Sequence, residues 1–417
     1  MCAGCLSKRM GRSTDGCLSP VQEEEIGYRL QWEIVSTAGT SGSLLNQPRF
    51  SLKQTASQHL QIAAQSAKLE RSNWKATGHA EIVAVFLQFL QQNPAVQLNS
   101  SVSICTVSPC RSQHQSSAIA SGLEALTRVA NSEGAHQTAI FRLSSPVVFK
   151  TSSTGAWPAS RADAGLCHAP RLMPYSGDLS GSRGSTGTRS PRTLQSVAIT
   201  GGTGALGLLT AHWMTQQGAN HVSLLSRTGR GSIPATLFDS PSVIQITHCD
   251  VASREEAGEL SAALTQHARL SHVLHAGGVV KDALLTNQNL SSIRQVMSPK
   301  VEGLLSLLDI LGSQGSHYTV FSSIAGVLGS SGQGNYAAAN SIMDELTDIA
   351  AGQVGALDYS LYPSFQNIVY GLAWSARACS DIWNIIIRQT SSHPTHTVAA
   401  FLGKPALLQQ KFCISDC

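Results

Sequence analysis

Short apolar runs alternate with helical patterns through residues 196–351, and this alternation restricts the fold more than any other feature of the chain. The predicted strands are 196–200, 221–225, 243–248, 272–276 and 318–322, and the predicted helices are 205–217, 254–267, 291–311 and 336–351. Apolar strands separated by helices favour a parallel sheet that is covered on both faces. We therefore predict an α/β fold in which this half is a Rossmann-like, doubly wound parallel sheet.

The first half shows a weaker alternation of the same kind. The sequence predicts strands at 28–36, 102–107 and 138–143 and helices at 81–92 and 117–130. This half contains neither a glycine turn nor a cluster of catalytic residue types. Between residues 175 and 191 the chain is almost entirely Gly, Ser, Thr, Arg and Pro, which predicts a flexible linker.

Charge and cysteine usage exclude several classes of function. The net charge of +4 comes from 29 basic and 25 acidic residues without a long basic run, so we expect no nucleic-acid partner. Only Cys2 and Cys5 of the ten cysteines form a CxxC pair, which predicts free thiols in a reducing compartment and no metal site. The sequence contains no apolar stretch of about 18 residues. We expect a cytoplasmic protein, although Ser and Arg near the start leave a plastid location open.

The sequence TGGTGALG, residues 200–207, follows a predicted strand and opens a predicted helix. Its glycines Gly202, Gly204 and Gly207 form a GxGxxG pattern. Residues without a Cβ allow the backbone to approach a pyrophosphate, which then lies at the positive end of the helix dipole. This pattern also occurs in ordinary turns, so a purely structural role stays open.

Two further strand ends bear on the choice of nucleotide. Ser226 and Arg227 follow the second strand, where NAD-binding enzymes place an acid for the ribose, and an arginine there favours the 2′-phosphate of NADPH. A solvated surface arginine is the alternative. Asp250 and Val251 follow the third strand, where the acid could bond the adenine edge or cap a helix.

Ser323 closes the last predicted strand, and Tyr336 follows thirteen residues later at the start of a helix. With these residues in place, the chain resembles the ketoreductase domain of modular polyketide synthases and animal-type fatty acid synthases, a branch of the short-chain dehydrogenases/reductases. The resemblance covers about residues 197–346. Its motifs are TGGTGALG, LLSRTG, CDV, VLHAGGVVKDALL, SPKVEGLLSL and FSSIAG followed by GQGNYAAAN.

The resemblance implies four catalytic roles. Ser323 hydrogen-bonds the substrate carbonyl, and Tyr336 is the general acid that protonates the oxyanion left by hydride addition. Lys300 lowers the pKa of the tyrosine, and Asn340 supports the proton relay. Most of the superfamily has its lysine at the position of Asn340. The ketoreductase branch, like this chain, has an asparagine there and a lysine on the preceding helix.

The resemblance also implies the reaction and its partners. NADPH would reduce a 3-oxoacyl thioester to a 3-hydroxyacyl thioester in polyketide or fatty acid biosynthesis, with the substrate held by the phosphopantetheine arm of an acyl carrier protein and other synthase domains as further partners. Alternatives are a free-standing reductase of small ketones or acyl-CoA and a non-catalytic fragment of a larger synthase. The predicted cofactor-binding residues are Thr200, Gly201, Gly202, Thr203, Gly204, Ala205, Leu206, Gly207, Ser226, Arg227, Asp250, Val251, His275, Ala276 and Gly277.

The resemblance divides the chain into five segments. These are a poorly ordered start (1–26), a degenerate Rossmann-like structural subdomain (27–175), a linker (176–191), the catalytic subdomain (192–375) and a divergent tail (376–417). Asp282 matches the last position of an acidic loop motif that is linked to one product stereochemistry. The preceding position of that motif is usually acidic, but this chain has Lys281 there, so the motif is incomplete. Residues 370–374 only approximate a WGxW motif, and residues 380–417 do not resemble the family's lid helix.

Overall fold

The computed structural model describes sixteen stretches of the chain, which include nearly all of residues 196–354. They are 27–37, 49–54, 60–65, 72–76, 78–92, 102–107, 113–134, 140–143, 159–163, 166–175, 196–216, 218–233, 241–265, 270–311, 317–354 and 365–368. The predicted start (1–26), linker (176–191) and tail (376–417) lie outside them. Within the described stretches, no helix is both long and apolar enough to cross a membrane.

The first half forms an eight-stranded mixed sheet. Its strands are β1 (Gly27–Thr37), β2 (Arg49–Gln54), β3 (Leu60–Gln65), β4 (Ser72–Ala76), β5 (Val102–Val107), β6 (Ile140–Leu143), β7 (Ala159–Asp163) and β8 (Leu166–Tyr175). Their order is β1-β8-β7-β6-β5-β2-β3-β4. The run from β2 through β5 and β6 to β7 is parallel, and antiparallel pairs flank it. Two helices, α1 (His79–Gln92) and α2 (Gln113–Glu133), interrupt the strands.

The second half forms a six-stranded sheet, ordered β11-β10-β9-β12-β13-β14, in which every neighbouring pair is parallel. The strands are β9 (Ser196–Thr200), β10 (His221–Ser226), β11 (Val243–His248), β12 (Leu270–His275), β13 (His317–Phe321) and β14 (Phe365–Ile368). The helices are α3 (Ala205–Gln216), α4 (Arg254–Thr265), α5 (Leu290–Met297), α6 (Gly303–Leu311), α7 (Ile324–Leu328) and α8 (Gly334–Val354). The predicted doubly wound parallel sheet is confirmed.

Side chains of β9 show why both faces are covered. Val197 and Ile199 pack in a core with Trp213 and Met214 of α3, whereas Ala198 packs in another core with Leu260 of α4 and residues of α6. Alternate residues of a strand point to opposite faces, so a strand that is buried at every position needs a helix on each side.

The predicted helix 291–311 is not continuous. A π-helical turn, Ser298–Glu302, separates α5 from α6. Pro299 lies in this turn and lacks the N–H that a regular helix would use, so the backbone pattern changes there. Single π-turns inside helices are frequent at functional sites. Lys300 is the central residue of this turn, and its side chain is 4% exposed.

Candidate active site

A cleft of about 270 Å³ opens where the sheet order reverses, at the carboxyl ends of β9, β10 and β12. Ligands of open α/β sheets bind in this position. The residues that line the cleft are Thr200, Gly201, Thr203, Leu225, Ser226, Arg227, Thr228, Cys249, Asp250, Val251, Gly277, Gly278 and Pro299.

The glycine turn brings the backbone close to its surroundings at three positions. Gly201 has a positive φ of 62°, and a Cβ there would lie 2.9 Å from the Cα of Gly277. A Cβ on Gly202 would lie 2.6 Å from the Cα of Leu224, and one on Gly207 would lie 2.4 Å from the carbonyl oxygen of Gly201. Larger residues would therefore push this turn away from the sheet. The turn leads directly into α3, whose N-terminus attracts anions.

The eight predicted residues of this turn fall into two groups. Thr200, Gly201 and Thr203 line the cleft, whereas the other five residues do not. Gly202 and Gly207 serve close packing instead, and Ala205 and Leu206 form the first residues of α3. The remaining glycine, Gly204, donates a backbone hydrogen bond to the carbonyl of Gly201 at 2.9 Å.

The ends of β10 and β11 form the other wall of the cleft. Arg227 is exposed there, beside Ser226, whose hydroxyl lies 3.3 Å from that of Thr203. Asp250 and Val251, which the sequence predicts as cofactor-binding residues, also line the cleft. The Asp250 carboxylate accepts a hydrogen bond from the backbone of Ala252 at 3.1 Å, so part of its bonding capacity is used within its own turn. An arginine at an open cleft wall fits a phosphate, because a guanidinium binds phosphate oxygens in pairs.

His275 faces the interior and connects the turn to the lysine. Its Nε2 lies 2.8 Å from the Lys300 carbonyl oxygen, which can only accept, so Nε2 carries the proton. Its Nδ1 therefore accepts from the Thr200 hydroxyl at 3.0 Å. That hydroxyl in turn accepts from the backbone N–H of Gly277 at 3.0 Å. Burial lowers the pKa of His275 to about 4, so the ring is neutral at physiological pH. Its side chain and that of Ala276 lie outside the cleft lining.

The Lys300 ammonium lies between β13 and α8. It donates to the Asn340 side-chain oxygen at 2.9 Å and to the Phe321 carbonyl at 3.3 Å. The Asn340 amide group donates to the Tyr336 carbonyl at 2.8 Å, which orients the asparagine oxygen toward the lysine. Gly278 leaves room for the lysine stem, because a Cβ there would lie 3.0 Å from the Lys300 Cε.

Tyr336 completes the group. The Lys300 ammonium lies 5.1 Å from the centre of its ring, over the ring face. Ser323 is buried, and its hydroxyl accepts from the Ala325 backbone at 3.2 Å, which caps α7. Tyr336 and Asn340 share one face of α8 because they are four residues apart. The structure thus brings together Lys300, Ser323, Tyr336 and Asn340 next to the cleft that Gly278 and Pro299 line.

The electrostatics of this group differ from the sequence expectation at one point. We expected the lysine to lower the pKa of Tyr336, but burial raises that pKa above its usual value, against the opposing effect of hydrogen bonds with Asn340 and Ser323. The physical reason is that the surroundings of the buried ring disfavour the charged phenolate more than its hydrogen bonds favour it. Burial also lowers the pKa of Lys300 to about 8, although the Asp344 carboxylate opposes this shift.

Sequence reasoning missed several residues of this region. Gly278, Pro299, Cys249, Leu225 and Thr228 line the cleft without having been predicted as site residues. The paired glycines of VLHAGG and the proline directly before Lys300 were available signals. Asp282, from the incomplete loop motif, accepts from the Gln333 side chain at 3.3 Å, close to the start of α8.

Residues 196–355 match the family model described as "KR domain". The polyketide synthase GfsE of Streptomyces halstedii is 36% identical over 154 residues, which cover 36% of this chain and 4% of that protein. Erythronolide synthase EryA2 of Saccharopolyspora erythraea is 34% identical over 186 residues, which cover 42% of this chain and 5% of that protein. The matched segments are thus at most 5% of the length of these two relatives.

Solved structures resemble the fold over most of the chain. A-type ketoreductases from a modular polyketide synthase superpose with a TM-score of 0.66 at 20% identity, covering 90% of this chain and 92% of the other. A ketoreductase domain from the bacillaene assembly line gives a TM-score of 0.62 at 19% identity, covering 82% and 84%. At this level of identity, the likeness shows a shared fold.

Proposed function

We propose that residues 196–355, which match the family model described as "KR domain", act as a ketoreductase domain of the type I polyketide synthase kind. In this proposal the protein uses NADPH to reduce a carrier-bound 3-oxoacyl thioester to the 3-hydroxyacyl thioester. The observation that carries the proposal is that Lys300, Asn340, Tyr336 and Ser323 lie together next to the cleft. The substrate would arrive on the phosphopantetheine arm of an acyl carrier protein, and other synthase domains would be further partners.

The side chains of the group match the needs of ketone reduction. Ser323 would donate its hydroxyl hydrogen to the substrate carbonyl, which increases the positive character of the carbonyl carbon. Bound NADPH would supply the hydride. Tyr336 would then donate its phenol proton to the oxyanion, and the ammonium of Lys300 would stabilise the resulting phenolate. Asn340 would hold the ammonium in place through the 2.9 Å hydrogen bond that the structure shows.

The cleft also fits the cofactor. The close backbone contacts of Gly201, Gly202 and Gly207 leave the start of α3 open to a pyrophosphate. Arg227, exposed on the cleft wall, would bind the 2′-phosphate that distinguishes NADPH from NADH. A nicotinamide cofactor follows from the family; the preference for NADPH is our proposal.

The first test removes the proposed acid. We expect Tyr336→Phe to reduce the NADPH-dependent turnover of a 3-oxoacyl thioester by about 100-fold or more, because a positioned acid contributes about 100- to 10,000-fold. NADPH should still bind, which fluorescence titration measures. Tyr318→Phe is a matched control, since that tyrosine is buried behind the sheet with residues of α4 and α6. Normal turnover by Tyr336→Phe would refute the assigned acid.

The second test concerns the choice of nucleotide. We expect Arg227→Ala to raise the KM for NADPH about 10-fold while the KM for NADH hardly changes, since one charge-assisted phosphate contact is lost. Steady-state kinetics with both nucleotides measure the ratio. Arg254→Ala removes an exposed arginine that pairs with Asp309 and serves as the control. An equal effect on both nucleotides would contradict a 2′-phosphate contact.

The same assays separate the competing functions. Turnover of a carrier-bound substrate well above that of the same acyl group on coenzyme A supports the proposal. Equal turnover of the two would instead favour a free-standing reductase. NADPH binding without oxidation of the cofactor would indicate a non-catalytic part of a larger synthase. Cytoplasmic location stays part of the proposal.

A further inference from the structure

Two loops of the catalytic half meet at the carboxyl end of α2, which belongs to the first half of the chain. Glu133 is the last residue of this helix, and its carboxylate oxygens accept hydrogen bonds from different loops. One oxygen accepts from the backbone N–H of Leu285 at 2.7 Å, and the other accepts from Gly332 at 2.8 Å. Ionised carboxylates accept stronger hydrogen bonds than neutral oxygens do. Glu133 therefore joins residues 281–289, the 281–289 loop, to residues 329–335, the 329–335 loop, which includes the first two residues of α8.

The two loops are also bonded to each other directly before Tyr336. The backbone N–H of Ala283 donates to the Gly332 carbonyl at 2.8 Å. The side chain of Asn335, which is fully buried, donates to the Lys281 carbonyl at 2.9 Å and accepts from the Tyr336 backbone at 2.7 Å. A shift of either loop would therefore reach the first turn of α8, which carries the phenol.

Helix α2 also contacts the chain between Ser323 and the 329–335 loop. The guanidinium of Arg128 donates to the Gly326 carbonyl at 2.8 Å, within α7. Gly329, with a φ of 74°, lies against Arg128, so that a Cβ at position 329 would be 2.8 Å from the backbone carbonyl carbon of that arginine. One helix of the first half thus contacts the segment that connects Ser323 to Tyr336.

We propose that Glu133 is a positioning residue for the reduction, and that through it the first half of the chain sets where Tyr336 lies relative to Ser323. This inference rests on the proposed function, because only a proton-donating Tyr336 gives its exact placement a kinetic consequence. Small displacements of a reacting group can cost up to about 100-fold in rate. Leu285 and Gly332 lie outside the cleft lining, so cofactor binding should be independent of Glu133.

The test uses the full chain and the isosteric variant Glu133→Gln. The amide keeps one acceptor oxygen and places an N–H group against the other loop, so one loop loses its bond. We expect kcat to fall about 10-fold while the dissociation constant of NADPH is unchanged. Backbone hydrogen exchange should accelerate in the 281–289 and 329–335 loops and stay constant in β9 and α3. Glu259→Gln, an exposed change on α4, is the matched control.

The outcomes separate this inference from the proposed function. If the wild-type protein oxidises no NADPH with any 3-oxoacyl thioester, the proposed function fails. If backbone hydrogen exchange is also unchanged in Glu133→Gln, Glu133 does not hold the two loops together, and the inference fails as well. If the wild type is active, an unchanged kcat overturns the positioning role even when exchange accelerates. Faster exchange throughout the protein would indicate general destabilisation and also overturn it.

Discussion

Lys300 is the residue whose ionisation should control the rate. Burial lowers its pKa to about 8, so the ammonium predominates below that pH and the neutral amine above it. Burial raises the pKa of Tyr336, so the phenol keeps its proton across the same range. We therefore expect kcat for reduction to fall as pH rises through about 8, measured as initial rates at saturating substrate. The pH at which the rate halves would report the lysine.

Two lysine variants check this assignment. Lys300→Met should be slower by about 100-fold and lose the decrease near pH 8, because no ammonium is left to titrate. Lys281→Met removes an exposed lysine of the 281–289 loop and should keep the wild-type pH profile. A decrease near pH 8 that persists in Lys300→Met would assign it to another group.

Single residues of the candidate site were largely accessible from the sequence. Ser323, Tyr336 and Asn340 belong to one motif with a fixed spacing, and Lys300 follows from the resemblance. The direction of the tyrosine pKa shift was not accessible, because it depends on how deeply the folded chain buries the phenol. The neutral state of His275 has the same origin, since burial lowers its pKa to about 4.

Among the helices, α2 and α8 show how close packing depends on one glycine. A Cβ on Gly122 would lie 2.7 Å from the Cγ1 of Ile342, which is fully buried, and 3.3 Å from the carbonyl oxygen of Ala338. Beside this contact the hydroxyls of Ser121 and Ser341 hydrogen-bond at 2.9 Å. The backbones approach closely because one helix presents a small residue there.

We expect Gly122→Ala to lower the free energy of unfolding by about 1–3 kcal/mol, because extra volume in a packed core forces its neighbours to move. Gly258→Ala is the control, since a Cβ there meets no atom within 4 Å on α4. That change should raise the free energy of unfolding by about 0.5–1 kcal/mol, because alanine favours helices. Urea denaturation measures both. Similar effects of the two substitutions would contradict the close packing.

In the whole molecule, the two halves share a core. Phe86 and Phe89 of α1 and Leu123 of α2 belong to one buried cluster with Ile342 and Met343 of α8. The Glu81 carboxylate also pairs with Arg294 of α5 at 2.6 Å. The helix that carries Tyr336 is therefore packed against the first half over much of its length. The division at residues 27–175 and 192–375, in which the first part braces the second, stays a prediction.

The sequence by itself determined the parallel sheet, the glycine turn and most residues of the candidate site, because apolar periodicity and local motifs encode them. Tertiary structure alone decided the strands β2, β3, β4 and β7, whose existence depends on pairing with distant partners. It also decided how the two loops meet at Glu133. These features arise from contacts between residues far apart in the chain, and local sequence patterns do not encode such contacts.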